Sequence, residues 1–248
     1  MGEELVPDAR GRAHAEPGLR ERKKRETRRR ISDIATGLFM TRGFDNVTIA
    51  DVARTADVSV NTVFNYFKTK EDLFFDRQDE IIEATGRDFR DRRPGESAAA
   101  LFRRRFFEGL DARAYQTGFH EGSETWTRTV RDSPALTARS RAMARRAEDH
   151  RARLLAEDTG ADPDDIAPRA AAAMIFAVQN RLVEQITDRK CAGETLEEMR
   201  ADVHAAAARA FDLLEHGLGG YATAPGPSRT ADGGTGDGGT DAGRAPGA

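Results

Sequence analysis

The 248-residue chain has little cysteine, tryptophan or tyrosine: Cys191 stands alone, as does Trp126, and there are three tyrosines. A lone thiol excludes an intrachain disulfide and any metal cluster built on several cysteines, and it suits a reducing compartment. Scarce β-formers beside abundant alanine and arginine argue for amphipathic helices rather than sheets. Long apolar runs are missing too. The longest, Ala170 to Val178, falls well short of the roughly 20 residues that cross a bilayer. Met1 to Pro17 lacks the apolar stretch of a secretory signal, so a cytoplasmic protein with no membrane partner is expected. Charge of one sign is also absent overall: 39 basic and 42 acidic residues leave a net charge of −3, which excludes a polycation that coats nucleic acid indiscriminately.

Enzyme signatures are lacking as well. There is no phosphate loop, dinucleotide fingerprint, nucleophile elbow or His-Glu-x-x-His pair. The histidines at 14, 120, 150, 204 and 216 are scattered. His120, Glu121 and Glu124 could hold a metal, but they read more simply as a solvated helix end. No catalysis, metal or cofactor is expected.

What is present is local charge and helical period. Arg20, Arg22, Lys23, Lys24, Arg25, Arg28, Arg29 and Arg30 face only Glu21 and Glu26, a field able to meet phosphates or, equally, a solvated helix. The cluster opens a helix from Leu19 to about Arg42, whose Ile31, Ile34, Ala35, Leu38 and Phe39 recur every three or four residues before Gly43. Thr48 to Asp51 is a capping box for a short helix, and Ser59 caps a second one running to about Phe67. A further cap at Thr69 to Asp72 opens a helix expected to run to Arg92, broken by Pro94-Gly95. Beyond it, helices are expected at 97–119, 123–131, 134–157, 163–188 and 195–218.

The fold class is therefore all-α: an N-terminal three-helix helix-turn-helix domain followed by a larger helical C-terminal domain. Residues 1–18 read as a disordered arm, 19–68 as the helix-turn-helix, 69–92 as a connector helix, 93–218 as the C-terminal domain and 219–248 as a disordered tail. In the second short helix, Asn61, Thr62, Asn65 and Tyr66 present donors and acceptors, while Val63 and Phe67 can rest on Ile34, Ile49 and Val52. That is the division needed by a helix that enters the major groove while staying attached.

At these residues the chain resembles the TetR family of bacterial regulators. The likeness runs through Ile34-Ala35, Leu38-Phe39, Gly43-Phe44, Thr48-Ile49, Val52-Ala53, Ala56, Val58-Ser59, Thr62 to Phe67 and Lys70 to Leu73. The resemblance implies phosphate contacts from Thr48, Ser59, Asn65, Tyr66 and Lys70, and base reading by Val60, Asn61 and Thr62. Two departures stand out: the family usually has glycine at Asp57 and tyrosine at Phe64. Val60 shares a helical stripe with Val63, Phe64 and Phe67, so spacing alone makes it equally a core residue.

Farther along, Phe102, Phe106, Tyr115, Phe119, Trp126, Met143, Met174 and Phe176 could line a cavity or simply form core. The resemblance implies that their helices surround a pocket for a small-molecule effector. It also implies that the last two helices, rich in alanine, pair with a symmetry mate in a homodimer on palindromic double-stranded operator DNA, most often as a repressor released by its effector. A ligand-independent helical DNA-binding module acting through a protein partner is the alternative.

Overall fold

A computed structural model describes residues 19–162 and 164–217. The arm expected at 1–18, the tail expected at 219–248, Leu218 and Pro163 lie outside the described residues. Those residues form ten α-helices and one 3₁₀ turn. The all-α expectation holds.

Helix α1 (Leu19–Arg42) buries Ile31, Ala35 and Phe39, four residues apart, while its basic first half stands in water. It stops at Gly43, whose φ of 82° closes the last turn through a 2.9 Å bond from its N–H to the Phe39 carbonyl. Helix α2 (Ile49–Thr55) and helix α3 (Val60–Tyr66) start at the expected caps, Thr48 and Ser59. Between them Asp57 adopts φ 52°, and the Val58 N–H reaches back to the Ala53 carbonyl at 3.0 Å. Aspartate tolerates this left-handed conformation better than most residues, so the turn keeps its shape without glycine.

The connector expected as one helix from 69 to 92 is two: α4 (Lys70–Phe74) and α5 (Gln78–Arg90). Leu73, Phe74 and Phe75 are all buried. At about 100° per residue, three consecutive buried side chains span too wide an arc for one straight helix with a single buried face. The chain turns instead, held to α1 by Arg28 on Asp76 (2.7 Å), Arg77 on Asp33 (2.8 Å) and the Ser32 hydroxyl on the Leu73 carbonyl (3.2 Å).

Helix α6 (Ala98–Asp111) also ends earlier than the expected 119. Arg113 takes φ 50°, and a 3₁₀ turn at Tyr115–Thr117 folds back until the Thr117 methyl rests against Gly109, where a Cβ would meet it at 2.8 Å. Close packing onto a glycine thus wins over helical propensity. Helices α7 (Ser123–Asp132), α8 (Pro134–Thr159), α9 (Ile166–Cys191) and α10 (Leu196–His216) follow near their expected places. Proline at N1 and Ser133 at the cap start α8, since proline has no N–H to lose there.

Two cores result. One joins α6, α8, α9 and α10 around Phe106, Phe119, Ile186 and Phe211. The other lies within the helix-turn-helix head but is completed by Leu136 and Met143 of α8, with Trp126 and Val130 of α7 packed against it. Head and body therefore share buried surface, reinforced by Arg139 to Asp72 at 2.7 Å and the Ser133 hydroxyl to Asp45 at 3.2 Å.

Candidate nucleic-acid interface

Helix α3 is held from below and open above. Val63 and Phe67 are fully buried against the head core, whereas Val60, Asn61, Phe64 and Asn65 face water. Val60 is 38% exposed, which removes the core alternative for it, and Phe64 is 51% exposed. An exposed phenyl ring beside an exposed valine is costly in water and suits contact with thymine methyls or sugars. By sequence Phe64 is a departure from the family's tyrosine and a member of the stripe with Val60, Val63 and Phe67, with no contact role of its own.

Several expected contact groups already have partners. The Ser59 hydroxyl accepts from the Thr62 N–H at 3.0 Å and lies 2.8 Å from the Thr62 hydroxyl, so one of the two hydroxyls donates to the other and one O–H is left over. The Thr48 hydroxyl donates to Asp51 at 2.6 Å and accepts from the Asp51 N–H at 3.2 Å. The Thr48 hydroxyl bond first, and next the bond that the Thr48 N–H donates to the same carboxyl at 3.0 Å, hold the Asp51 carboxyl down to about 2. To grip a phosphate, the Thr48 hydroxyl must release Asp51, which leaves the first backbone N–H groups of α2 as the readier donors.

Lys70 sits at the start of α4, half-buried, with its ammonium 4.2 Å from the Phe44 ring centroid and 5.9 Å from that of Phe39. The rings orient the ammonium by cation–π attraction and leave its protons free to meet an anion. Asn65 is exposed; Tyr66 is half-buried beside Phe67, and its backbone carbonyl accepts from Arg28 at 3.1 Å.

The basic run on α1 divides by role. Arg28 turns inward: besides Asp76 and Tyr66, it covers the Phe67 ring at 4.7 Å. Burial pushes the Asp76 carboxyl up, and the Arg28 guanidinium pulls against that shift. Among the described residues, Arg22, Lys23, Lys24, Arg25, Arg29 and Arg30 are exposed and make no ion pair, so their charge faces water.

The eight candidate effector residues do not share one chamber. Phe102, Phe106 and Phe119 lie in the body core, Trp126 and Met143 at the head core, and Phe176 is half-buried on α9. Tyr115 is exposed, and Met174 is 54% exposed on α9. Near His120, the buried Lys190 ammonium lies 3.4 Å from Glu121 and 3.5 Å from Glu124, the place a metal cation would take between those acids. Among the described residues no group of acids, histidines and cysteine converges as a metal site, and no helix is long and apolar enough to cross a membrane. An open cleft of about 500 Å³ lies between the end of α5 and α8, lined by Phe89, Arg92, Arg93, Glu96, Leu154 and Asp158.

Residues 31–76 match the family model described as bacterial regulatory proteins, tetR family. The HTH-type transcriptional regulator TcmR of Streptomyces glaucescens is 28% identical over 174 residues, covering 65% of this chain and 74% of that protein. Among solved structures, native NalD of Pseudomonas aeruginosa, the secondary repressor of the MexAB-OprM multidrug efflux pump, superposes with a TM-score of 0.51 at 17% identity, covering 79% of this chain and 96% of NalD. The SmeT–triclosan complex gives 0.50 at 20% identity, covering 82% of this chain and 98% of SmeT. At such identities the two structures establish a shared fold.

Proposed function

We propose that this chain, whose residues 31–76 match the tetR family model, is a DNA-binding transcription regulator of that family: a homodimeric repressor released from a palindromic operator by a small-molecule effector. The division of α3 carries the proposal: Val63 and Phe67 anchor it, and Val60, Asn61, Phe64 and Asn65 are left to the groove. Asn61 can pair with adenine, while Val60 and the Thr62 methyl can touch thymine. Ser59, Asn65, Tyr66 and Lys70 flank that surface and supply phosphate contacts, with Thr48 at the start of α2.

The outward face of α9 carries Ala170, Met174 and Ala177, and α10 exposes Leu213. Small residues permit close helix approach, and a second copy would cover this apolar face in a four-helix bundle. A twofold dimer then spaces two α3 helices about one DNA turn, roughly 34–36 Å, apart. Repression and a small-molecule response are carried over from proteins of the same fold: NalD is a repressor and SmeT holds triclosan. Release follows when the effector moves α7 and α8, which bear on α4 and so on the head, and the two α3 helices no longer match successive grooves.

Sequencing the duplexes retained by the purified protein tests this directly. An inverted repeat is expected. Asn61→Ala should relax preference at one position per half-site, at a cost of about 1–3 kcal/mol there. Retained sites without twofold symmetry, or equal losses on cognate and scrambled DNA, would sink it. A metabolite panel that leaves operator affinity untouched would favour instead a ligand-independent module working through a protein partner.

A further inference from the structure

One cation in the body lacks the partners that a buried charge requires. Arg151 of α8 has its guanidinium 5.4 Å from the ring centroids of both Phe102 on α6 and Phe176 on α9, and its Nη2 donates to Gln179 at 3.2 Å. Its Nε and Nη1 are sealed from water and meet no acceptor among the described residues. Glu148, one turn earlier on α8, helps hold the charge but makes no ion pair with it. Burial lowers the guanidinium to about 10, so it stays charged at neutral pH. Phenyl faces attract a cation, but they do not replace hydrogen-bond acceptors for its N–H groups. Native proteins rarely leave buried donors of a charged group unmet, because the desolvation is then uncompensated.

We propose that Arg151 is the counter-charge for the carboxylate of an organic monoacid, that the acid's apolar part lodges with Phe102 and Phe176, and that this acid is the effector. The regulatory half rests on the effector-release proposal above; the binding half stands alone. A single negative charge fits because, among the described residues, Arg151 is the cation set between Phe102 and Phe176 with N–H groups unmet. Neighbouring His150 is itself driven toward its neutral form, by burial first and then by Arg153 and Arg151, so a phosphate dianion would find too little positive charge. The site also has leverage. Leu136 and Met143, in the first half of the same α8, belong to the head core, and the 15 helical steps from Leu136 to Arg151 span about 22 Å. A ligand that pulls on Arg151 therefore loads the element on which the head rests.

The test measures thermal midpoints of the full chain with benzoate, phenylacetate and octanoate, each against its neutral amide. At least one acid, at about a hundred times its Kd, should raise the midpoint by roughly 5–10 °C, and its amide should not. Arg151→Met should abolish this response while leaving the ligand-free midpoint equal or higher, since an apolar side chain of similar length removes an uncompensated charge. Acid and amide acting alike, no acid acting, or a response surviving in Arg151→Met would overturn the site. So would a fall in the ligand-free midpoint of both Arg151→Met and Arg151→Gln, or failure of both to fold, which would mark a purely structural arginine. Operator affinity measured in the same samples separates the two proposals: an acid bound through Arg151 that leaves DNA affinity unchanged keeps the site and removes effector release. A neutral compound that releases DNA without need of Arg151 does the reverse.

Discussion

The indole of Trp126 lies nearly flat on the ring of Phe74, centroids 3.9 Å apart and planes 20° from parallel, with Phe75 set edge-on at 5.8 Å. Trp126 belongs to α7 of the body and Phe74 to α4 of the head, so the stack joins the two parts where a change in one must be felt by the other. Truncating half-buried Trp126 to alanine should cost about 2–4 kcal/mol, somewhat below the usual range for a fully buried aromatic. Urea unfolding would measure it. Because Trp126 is the chain's one tryptophan, its emission should shift when operator DNA or effector is added. A Trp126→Ala protein within about 0.5 kcal/mol of the parent, a difference ordinary for surface substitutions, would show that the stack does not couple the parts.

At Asp57 the backbone holds a left-handed φ of 52°. Glycine has no steric penalty there, so Asp57→Gly should be neutral or stabilise by up to about 1 kcal/mol. Asp57→Val should destabilise by about 1–2 kcal/mol. The order Gly, Asp, Val in thermal midpoint checks the turn; a valine variant as stable as the parent would contradict it.

Acid should loosen the starts of several helices. The carboxyls of Asp51 and Glu96 are held down to about 2, and Glu198 is also lowered, each first by a hydrogen bond: the Thr48 side chain on Asp51, the Arg104 side chain on Glu96 and the Thr195 N–H on Glu198. A depressed folded-state value means that the stability they contribute is present above the ordinary carboxylate range near 4 and is lost as pH falls toward 2. Asp51→Asn should flatten the part of the stability profile between those limits without shifting it at pH 7 and above by more than the capping bond accounts for. A profile of unchanged slope would assign the acid sensitivity elsewhere.

Lys70 should show itself through salt. Lys70→Ala ought to weaken binding on every duplex alike and to lower the salt slope by about one unit for each phosphate contact removed. The same change also ends the cation–π contact with Phe44, worth about 0.5–1 kcal/mol of stability. An unaltered salt slope would mean that the ammonium serves only the aromatic rings beneath it.

A charge on the outer face of α9 should separate the subunits. Met174→Glu places a carboxylate where 54% of the side chain meets water in the single chain, so the monomer should tolerate it within about 0.5 kcal/mol. Burying that charge against a second copy would not be tolerated. Sedimentation should show the parent as a dimer and the variant as a monomer with much weakened operator binding; an unchanged dimer would move the interface elsewhere.

Period, caps and turn chemistry are written in neighbouring residues, and those features were legible in the sequence. Ile31, Ala35 and Phe39 mark one face of α1, Thr48, Ser59 and Thr69 mark helix starts, and Asp57 marks the turn, because each acts through atoms a few bonds away. The polar surface of α3 was equally visible, since burial of Val63 and Phe67 leaves Asn61 and Asn65 opposite. Other features depend on segments far apart in the chain, and only the tertiary structure decided them. Spacing did not show that α4 and α5 part at Phe75, that α6 stops short for Thr117 to pack on Gly109, or that Arg28 leaves the basic run to serve Asp76 and Phe67. Nor did it distinguish Arg151 from the other arginines of α8. A charge takes its meaning from what surrounds it in space, and the rings of Phe102 and Phe176 reach Arg151 only after three helices have packed.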